Sequence, residues 1–224
     1  GYLQAKRGSH VVITTIMFNF LASSLMVYLL AGPLIQLGQQ SPQSDLIPES
    51  AQLASFETFF SLFGIDITSS PLNLSFLLAL FALFVFWVLI WKTRLGYEIR
   101  AVGKNQDAAN YAGINVPRII IITMTISGAF AGLLAVNEVM GVQHRAILNF
   151  TAGYGFTGIA VALMGRNHPV GIFFASLLFG ALFQGGAELD FEFQSITRDM
   201  VLLIQGMIIL FSGALAYMFN PELS

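Results

Sequence analysis

The sequence predicts an all-α, polytopic membrane protein, on three observations. Hydrophobic residues make up 56% of the 224 residues and charged residues only 10%, with a mean hydropathy of +0.75. A soluble domain carries about 25% charged residues. The apolar residues gather into runs near the length needed to cross a bilayer, about 17–25 residues. When those runs are threaded alternately, the basic residues between them fall almost wholly on one side.

Six segments follow from the apolar runs. The first covers about Val11 to Leu34. The second, about Asn73 to Trp91, has Trp87 and Trp91 at its interface end. The third is about Ile119 to Met140. The fourth, about Ala146 to Met164, is Gly-rich and marginal in length, the pattern of a broken or re-entrant segment. The fifth is about Pro169 to Phe183, also marginal, and the sixth about Met200 to Phe219. The turn Arg166-Asn167-His168-Pro169 is too polar to sit in lipid. The chain opens Gly1-Tyr2-Leu3, with neither an initiator Met nor a signal-peptide pattern. That start suits the C-terminal part of a longer protein, here a single transmembrane domain over residues 1–224.

Alternation places Lys6, Arg7, Lys92, Arg94, Arg100, Lys104, Arg118 and Arg166 on one side, eight of the ten basic residues, and Arg145 and Arg198 on the other. Three acids, Glu98, Asp107 and Glu222, join the basic side, and the other nine lie opposite. One side therefore carries +5 and the other −7, which together make the formal −2. Basic short loops are retained in the cytoplasm, so both ends of the chain are expected there. The loop over residues 36–72, without Lys or Arg, then lies outside. Within it Phe56, Phe59, Phe60 and Phe63 share one helical face. That stripe suits a helix lying in the interface plane or a lid packed on the outer end of the bundle.

The connection over residues 92–118 is polar and basic, yet built to be ordered. Asn105 is an expected N-cap, Ala108, Ala109 and Ala112 favour helix, and Gly113 can end it in a left-handed cap. A short helix held at a membrane surface suits docking on a cytosolic partner or serves as an ordered connector.

Small residues mark expected helix contacts: Gly128 and Gly132 in the third segment, and Gly155 and Gly158 in the fourth. Polar residues within spans are costly in lipid and are the candidates for a substrate path. They are Asn19 in the first segment, Glu138 beside Asn137 near the outer end of the third, and Gln205 in the sixth; Gln184 ends the fifth. Glu138 either faces a path or reaches the outer interface. Asn19 and Gln205 serve either as inter-helix hydrogen-bond partners or as substrate contacts.

Several chemistries lack their residues. The chain has no cysteine, hence no disulfide, thiolate nucleophile or Cys-based metal site. It has no Walker A loop and no H-E-x-x-H. His10, His144 and His168 are spread over both sides, which speaks against a metal site, and no Ser, His and acid set suggests hydrolysis. No enzymatic activity, cofactor or nucleic-acid binding is expected of this chain itself.

The stretch Thr93-Arg94-Leu95-Gly96-Tyr97-Glu98-Ile99-Arg100-Ala101-Val102-Gly103-Lys104-Asn105-Gln106-Asp107-Ala108-Ala109-Asn110-Tyr111-Ala112-Gly113-Ile114 resembles a segment of the permease subunits of binding-protein-dependent ABC importers. The likeness is to the branch for branched-chain amino acids, simple sugars and nucleosides. Thr93, Gly96, Arg100, Ala101, Gly103, Asn105, Ala108, Ala109, Gly113 and Ile114 carry it. Gly153 to Arg166 and Lys6 to Asn19 add to it and look most like nucleoside or simple-sugar permeases. The resemblance covers nearly the whole chain except residues 36–72. It implies that the 92–118 segment couples to a separate cytosolic ATP-binding subunit, which holds ATP and Mg²⁺. It also implies a second permease subunit, identical or not, an extracytoplasmic substrate-binding protein, and a place in a bacterial or archaeal cytoplasmic (inner) membrane. The alternatives are a permease for branched-chain amino acids and an ion-coupled secondary transporter. The latter wants several buried ionisable groups, and only Glu138 qualifies.

Overall fold

The computed structural model describes residues 1–35, 41–56, 72–151 and 153–192, with isolated positions between 200 and 211. Among the described residues, four helices are long and apolar enough to cross a membrane: Val11–Ala31, Ser75–Lys92, Val116–Val142 and Pro169–Glu188. They match the first, second, third and fifth expected segments. The chain is a helical membrane protein. Gln205 lies outside the described residues, as do all but isolated positions of the sixth expected segment. Of the phenylalanine stripe only Phe56 is described.

The chain forms two compact units, Gly1–Ala152 and Gly153–Ser224. In the first, α1 (Tyr2–Arg7) ends at Gly8, whose φ of 66° lets the chain turn into α2 (Val11–Ala31). Helix α2 is apolar all round, as a lipid-facing helix is. Two of its hydroxyls are satisfied within the helix: Thr15 Oγ1 donates to the Val11 carbonyl at 2.9 Å and Ser24 Oγ to that of Phe20 at 3.0 Å.

Helix α3 (Ser75–Trp87) widens into a π-turn over Val88–Lys92. Two short helices follow, α4 (Arg94–Lys104) and α5 (Gln106–Tyr111), and then α6 (Val116–Ala135), which itself widens into a π-turn over Val136–Val142. Asn115 starts α6, its side chain accepting from the Arg118 amide at 3.2 Å. Phe86 and Phe130 meet edge to face at 6.4 Å and pack α3 on α6.

Residues 41–56 are strapped to the far end of α6. The amide of Ser44 donates to the Ala146 carbonyl at 3.0 Å, that of Ile47 to His144 at 2.8 Å and that of Leu53 to Met140 at 3.0 Å. At the other end of α6, Lys6 from α1 lines a cavity with Asn115, Pro117 and Arg118. Loop 41–56 and residues 140–147 thus share one end of α6, and Lys6 shares the other with the 92–118 connection, the grouping that alternate threading requires.

In the second unit, α7 (Tyr154–Met164) has only 11 residues. That is about 16 Å of rise against a hydrocarbon core of about 30 Å. The fourth expected segment is therefore a half-length helix, preceded by Gly153 in the left-handed region at φ 81°. Helix α8 (Pro169–Glu192) runs past the expected end at Phe183, because Gln184 sits inside it and donates to Glu188 at 3.1 Å. Ala160, Val161, Ala175 and Phe179 form the core of this hairpin. Gly165 and Gly171 allow the close approach, since a Cβ on either would collide with the backbone of the other.

Candidate functional site: a closed frame between two spans

The 92–118 connection, expected as a polar loop carrying one short helix, is helical through most of its length. Helix α4 was hidden by its charges. Its apolar Leu95, Ile99 and Val102 nevertheless fall at i, i+4 and i+7, one face of a helix. Thr93 caps it, accepting from the Gly96 amide at 3.0 Å and donating its own hydroxyl to the Leu89 carbonyl at 2.5 Å. The second bond takes up a carbonyl of the π-turn. Gly96 is buried, and a Cβ there would strike the carbonyl oxygens of Leu89 and Ile90. Only glycine lets α4 fold back so tightly on the end of α3.

Asn105 caps α5 as expected, its side chain accepting from the Ala108 amide at 3.0 Å. Gly113 closes α5 at φ 82°. The Gly113 amide donates to Asn110 and the Ile114 amide to Ala109, both at 3.0 Å. These two bonds form a Schellman cap. Ala109, expected beside Ala108 as a docking residue, instead faces inward at 3% exposure. It forms a core with Val102 and Ile119, flanked by Ala101 and Ile114. Arg100, Gly103, Asn105 and Ala108 are exposed. So are Tyr97 at 61% and Tyr111 at 94%. Both tyrosines are residues that sequence reasoning passed over, although an aromatic in a basic connection is itself a signal of recognition. Arg94 pairs with Glu98 at 3.0 Å. Lys92 lies 5.3 Å over the Trp87 ring.

The opposite ends of α3 and α6 are joined by polar groups. Asn73 Nδ2 donates to the Gly141 carbonyl at 3.0 Å, and Asn73 Oδ1 accepts from the Ser75 amide at 3.1 Å. Ser75 Oγ contacts Asn73 Oδ1 and lies 2.5 Å from Asn137 Oδ1. Asn137 Nδ2 donates to Glu138 Oε1 at 3.3 Å. Asn73 and Glu138 are buried, at 9% and 8% exposure. Glu138 thus lies not at an open interface but in a knot with Asn137, Ser75 and Asn73. The last two were missed because they sit just before and at the start of α3, where they read as ordinary cap residues. Asn19 is exposed on α2, far in sequence from these groups and with no described hydrogen-bond partner.

Gly128, Gly132, Gly155 and Gly158, expected to pack helices, have no described atom within 4 Å of an added Cβ. Among the described residues, close approaches occur at Gly96, Gly141, Gly165 and Gly171. Among the described residues no cluster of three metal-ligating side chains occurs.

Long apolar helices, two of them joined by a capped, basic helical element, define a helical membrane protein. The chain matches, over residues 1–213, the family described as "Branched-chain amino acid transport system / permease component", and it belongs to that family. It is 38% identical to the guanosine ABC transporter permease protein NupP of Bacillus subtilis over 213 residues, 94% of this chain and 58% of that one. It is 37% identical to the nucleoside ABC transporter permease protein NupB of Lactococcus lactis over 215 residues, 94% of this chain and 57% of the other. It is 36% identical to the glucose ABC transporter permease protein TsgB13 of Haloferax volcanii over 216 residues, 94% of this chain and 55% of the other. These relatives are transport components rather than enzymes. The chain spans little more than half the length of each. No solved structure matches it.

Proposed function

We propose that this chain is the C-terminal membrane part of the permease of an ATP-driven importer for nucleosides or simple sugars. The observation that carries the reading is the α4–α5 element, capped at Thr93, Asn105 and Gly113, cored onto α6 through Ala109, and exposed along Arg100, Lys104, Ala108 and Tyr111. A flexible loop would dissipate a push from a partner, whereas a capped element fixed to a span transmits it. ATP and Mg²⁺ are held by a separate cytosolic subunit, against which α5 docks. A second permease chain completes the path. A substrate-binding protein delivers solute to the outer face, whose loops carry the excess of acids. Both ends of the chain then lie in the cytoplasm, as the bias of basic residues supports.

The importer reading is tested with Ala108→Glu in the full-length permease, assembled with its ATPase subunit. Ala108 is exposed, so the variant folds, but a bulky charge blocks docking. Solute-stimulated ATP hydrolysis should be abolished with membrane insertion intact. Unchanged stimulation overturns the docking role. The solute class rests on the relatives that carry guanosine, nucleosides and glucose. Competition for uptake among guanosine, glucose and leucine separates it from the branched-chain amino acids in the family's description.

A further inference from the structure

Helices α3 and α6 are tied at both ends. At one end the Val102, Ala109 and Ile119 core fastens the α4–α5 element to α6, and Gly96 fastens it to α3. At the other end the bonds from Asn73 to Gly141 and from Ser75 to Asn137 cross from the start of α3 to the π-turn of α6. Between them lie 27 residues of helix from Val116 to Val142, about 40 Å of rise. A frame closed at one end only is a hinge. Closed at both, it is a lever.

We propose that Asn73 and Gly141 are positioning residues that make this frame rigid, so that a displacement imposed on α5 reaches the outer strap over residues 41–56. The inference rests on the importer reading and adds the outer joint to it. Three features support it. First, the joint is directional and centred on a buried side chain: Asn73 uses both ends of its amide, donating to one span and accepting from the other. Second, an added Cβ on Gly141 would lie 2.5 Å from Asn73 Nδ2, so glycine is what admits the amide. Third, the joint carries the strap. The Leu53 amide bonds to the Met140 carbonyl at 3.0 Å, the Leu74 amide to Ala54 at 3.1 Å, and Ser55 bridges Asn73. The π-turn that offers the Gly141 carbonyl to Asn73 is also what places Asn137 toward Ser75, and such turns recur at functional positions in helices.

The test uses the full-length permease assembled with its ATPase subunit in vesicles. This segment has no cysteine of its own. Single cysteines are placed at exposed Gln106, on α5, and exposed Ser50, on the strap. Their rates of maleimide labelling are measured with and without ATP. In the parent, ATP should change both rates. In Asn73→Ala the response at Gln106 and basal ATP hydrolysis should persist. The response at Ser50 should shrink about tenfold, the scale of a typical coupling between sites. Gly141→Ala should act alike, through displacement of the same amide. A Ser50 response that survives in both variants overturns the proposal. So does loss of the assembled complex in both, which would make the knot structural only. Absence of any ATP response at Gln106 in the parent would instead defeat the importer reading itself.

Discussion

The two joints of the frame are made of opposite materials. The inner joint is apolar: Val102, Ala109 and Ile119 meet under a shell of Leu95, Ile99 and Val116. The outer joint is polar: two amides, a hydroxyl and a carboxylate at the ends of two spans. Apolar contact is non-directional and tolerates small slides. A buried hydrogen-bond network does not, because a lost partner leaves the other group unsatisfied. The apolar joint can thus slide a little while staying attached, and the polar joint holds register. The lesson is that a polar network anchored by buried groups, shielded from competing water, fixes a geometry that apolar contact leaves free to slide.

The largest effect should come from breaking the inner joint. Ala109→Glu places a carboxylate among Val102 and Ile119, and an unpaired buried charge costs about 3–5 kcal/mol. The complex should be lost or strongly destabilised in thermal unfolding in detergent, whereas Ala108→Glu, one residue away but exposed, should leave the melting temperature nearly unchanged. Equal losses from both would show that α5 is not seated by the Ala109 core.

The comparison sharpens when the same substitution is made at both joints. Asn73→Ala removes a buried amide and strips partners from the half-buried Gly141 carbonyl and Ser75 amide, and should cost about 2 kcal/mol. Asn105→Ala removes a cap on the exposed side, where water replaces the lost bond, and should cost about 1 kcal/mol. Denaturant midpoints of the two variants should therefore differ in that order. The reverse order would mean that the outer knot is wet. The smallest effect belongs to Arg94→Ala, which removes an exposed i,i+4 pair with Glu98 worth about 0.3–0.5 kcal/mol. High salt should erase the difference between parent and variant.

Local signals in the sequence are legible where they rest on backbone chemistry. Asn105 and Gly113 sit where a cap needs a side-chain oxygen and a left-handed residue, and both do those jobs. The second and third spans end where charge returns. By contrast, α4 was masked by its charges. Ala108 and Ala109 looked interchangeable, yet a helix turns about 100° per residue and separates them into surface and core. The small-residue count in the third and fourth segments pointed to Gly128, Gly132, Gly155 and Gly158. Among the described residues, Gly96, Gly141, Gly165 and Gly171 also admit close contacts, and they lie at elbows and turns, where no periodicity marks them.

The sequence by itself determined that the chain is a helical membrane protein, where four of its spans run, and how α5 begins and ends. Those properties follow from hydropathy, length and capping, all of which act within a few turns of the chain. Only the tertiary structure decided that Asn137 meets Ser75 and that Gly141 meets Asn73, residues more than 60 positions apart in the chain. It also decided that the fourth segment folds as a half-length helix and that Ala109 faces inward. Long-range pairing depends on how whole spans rotate and slide against one another. A buried amide is satisfied only in the register that brings its partner within hydrogen-bonding distance.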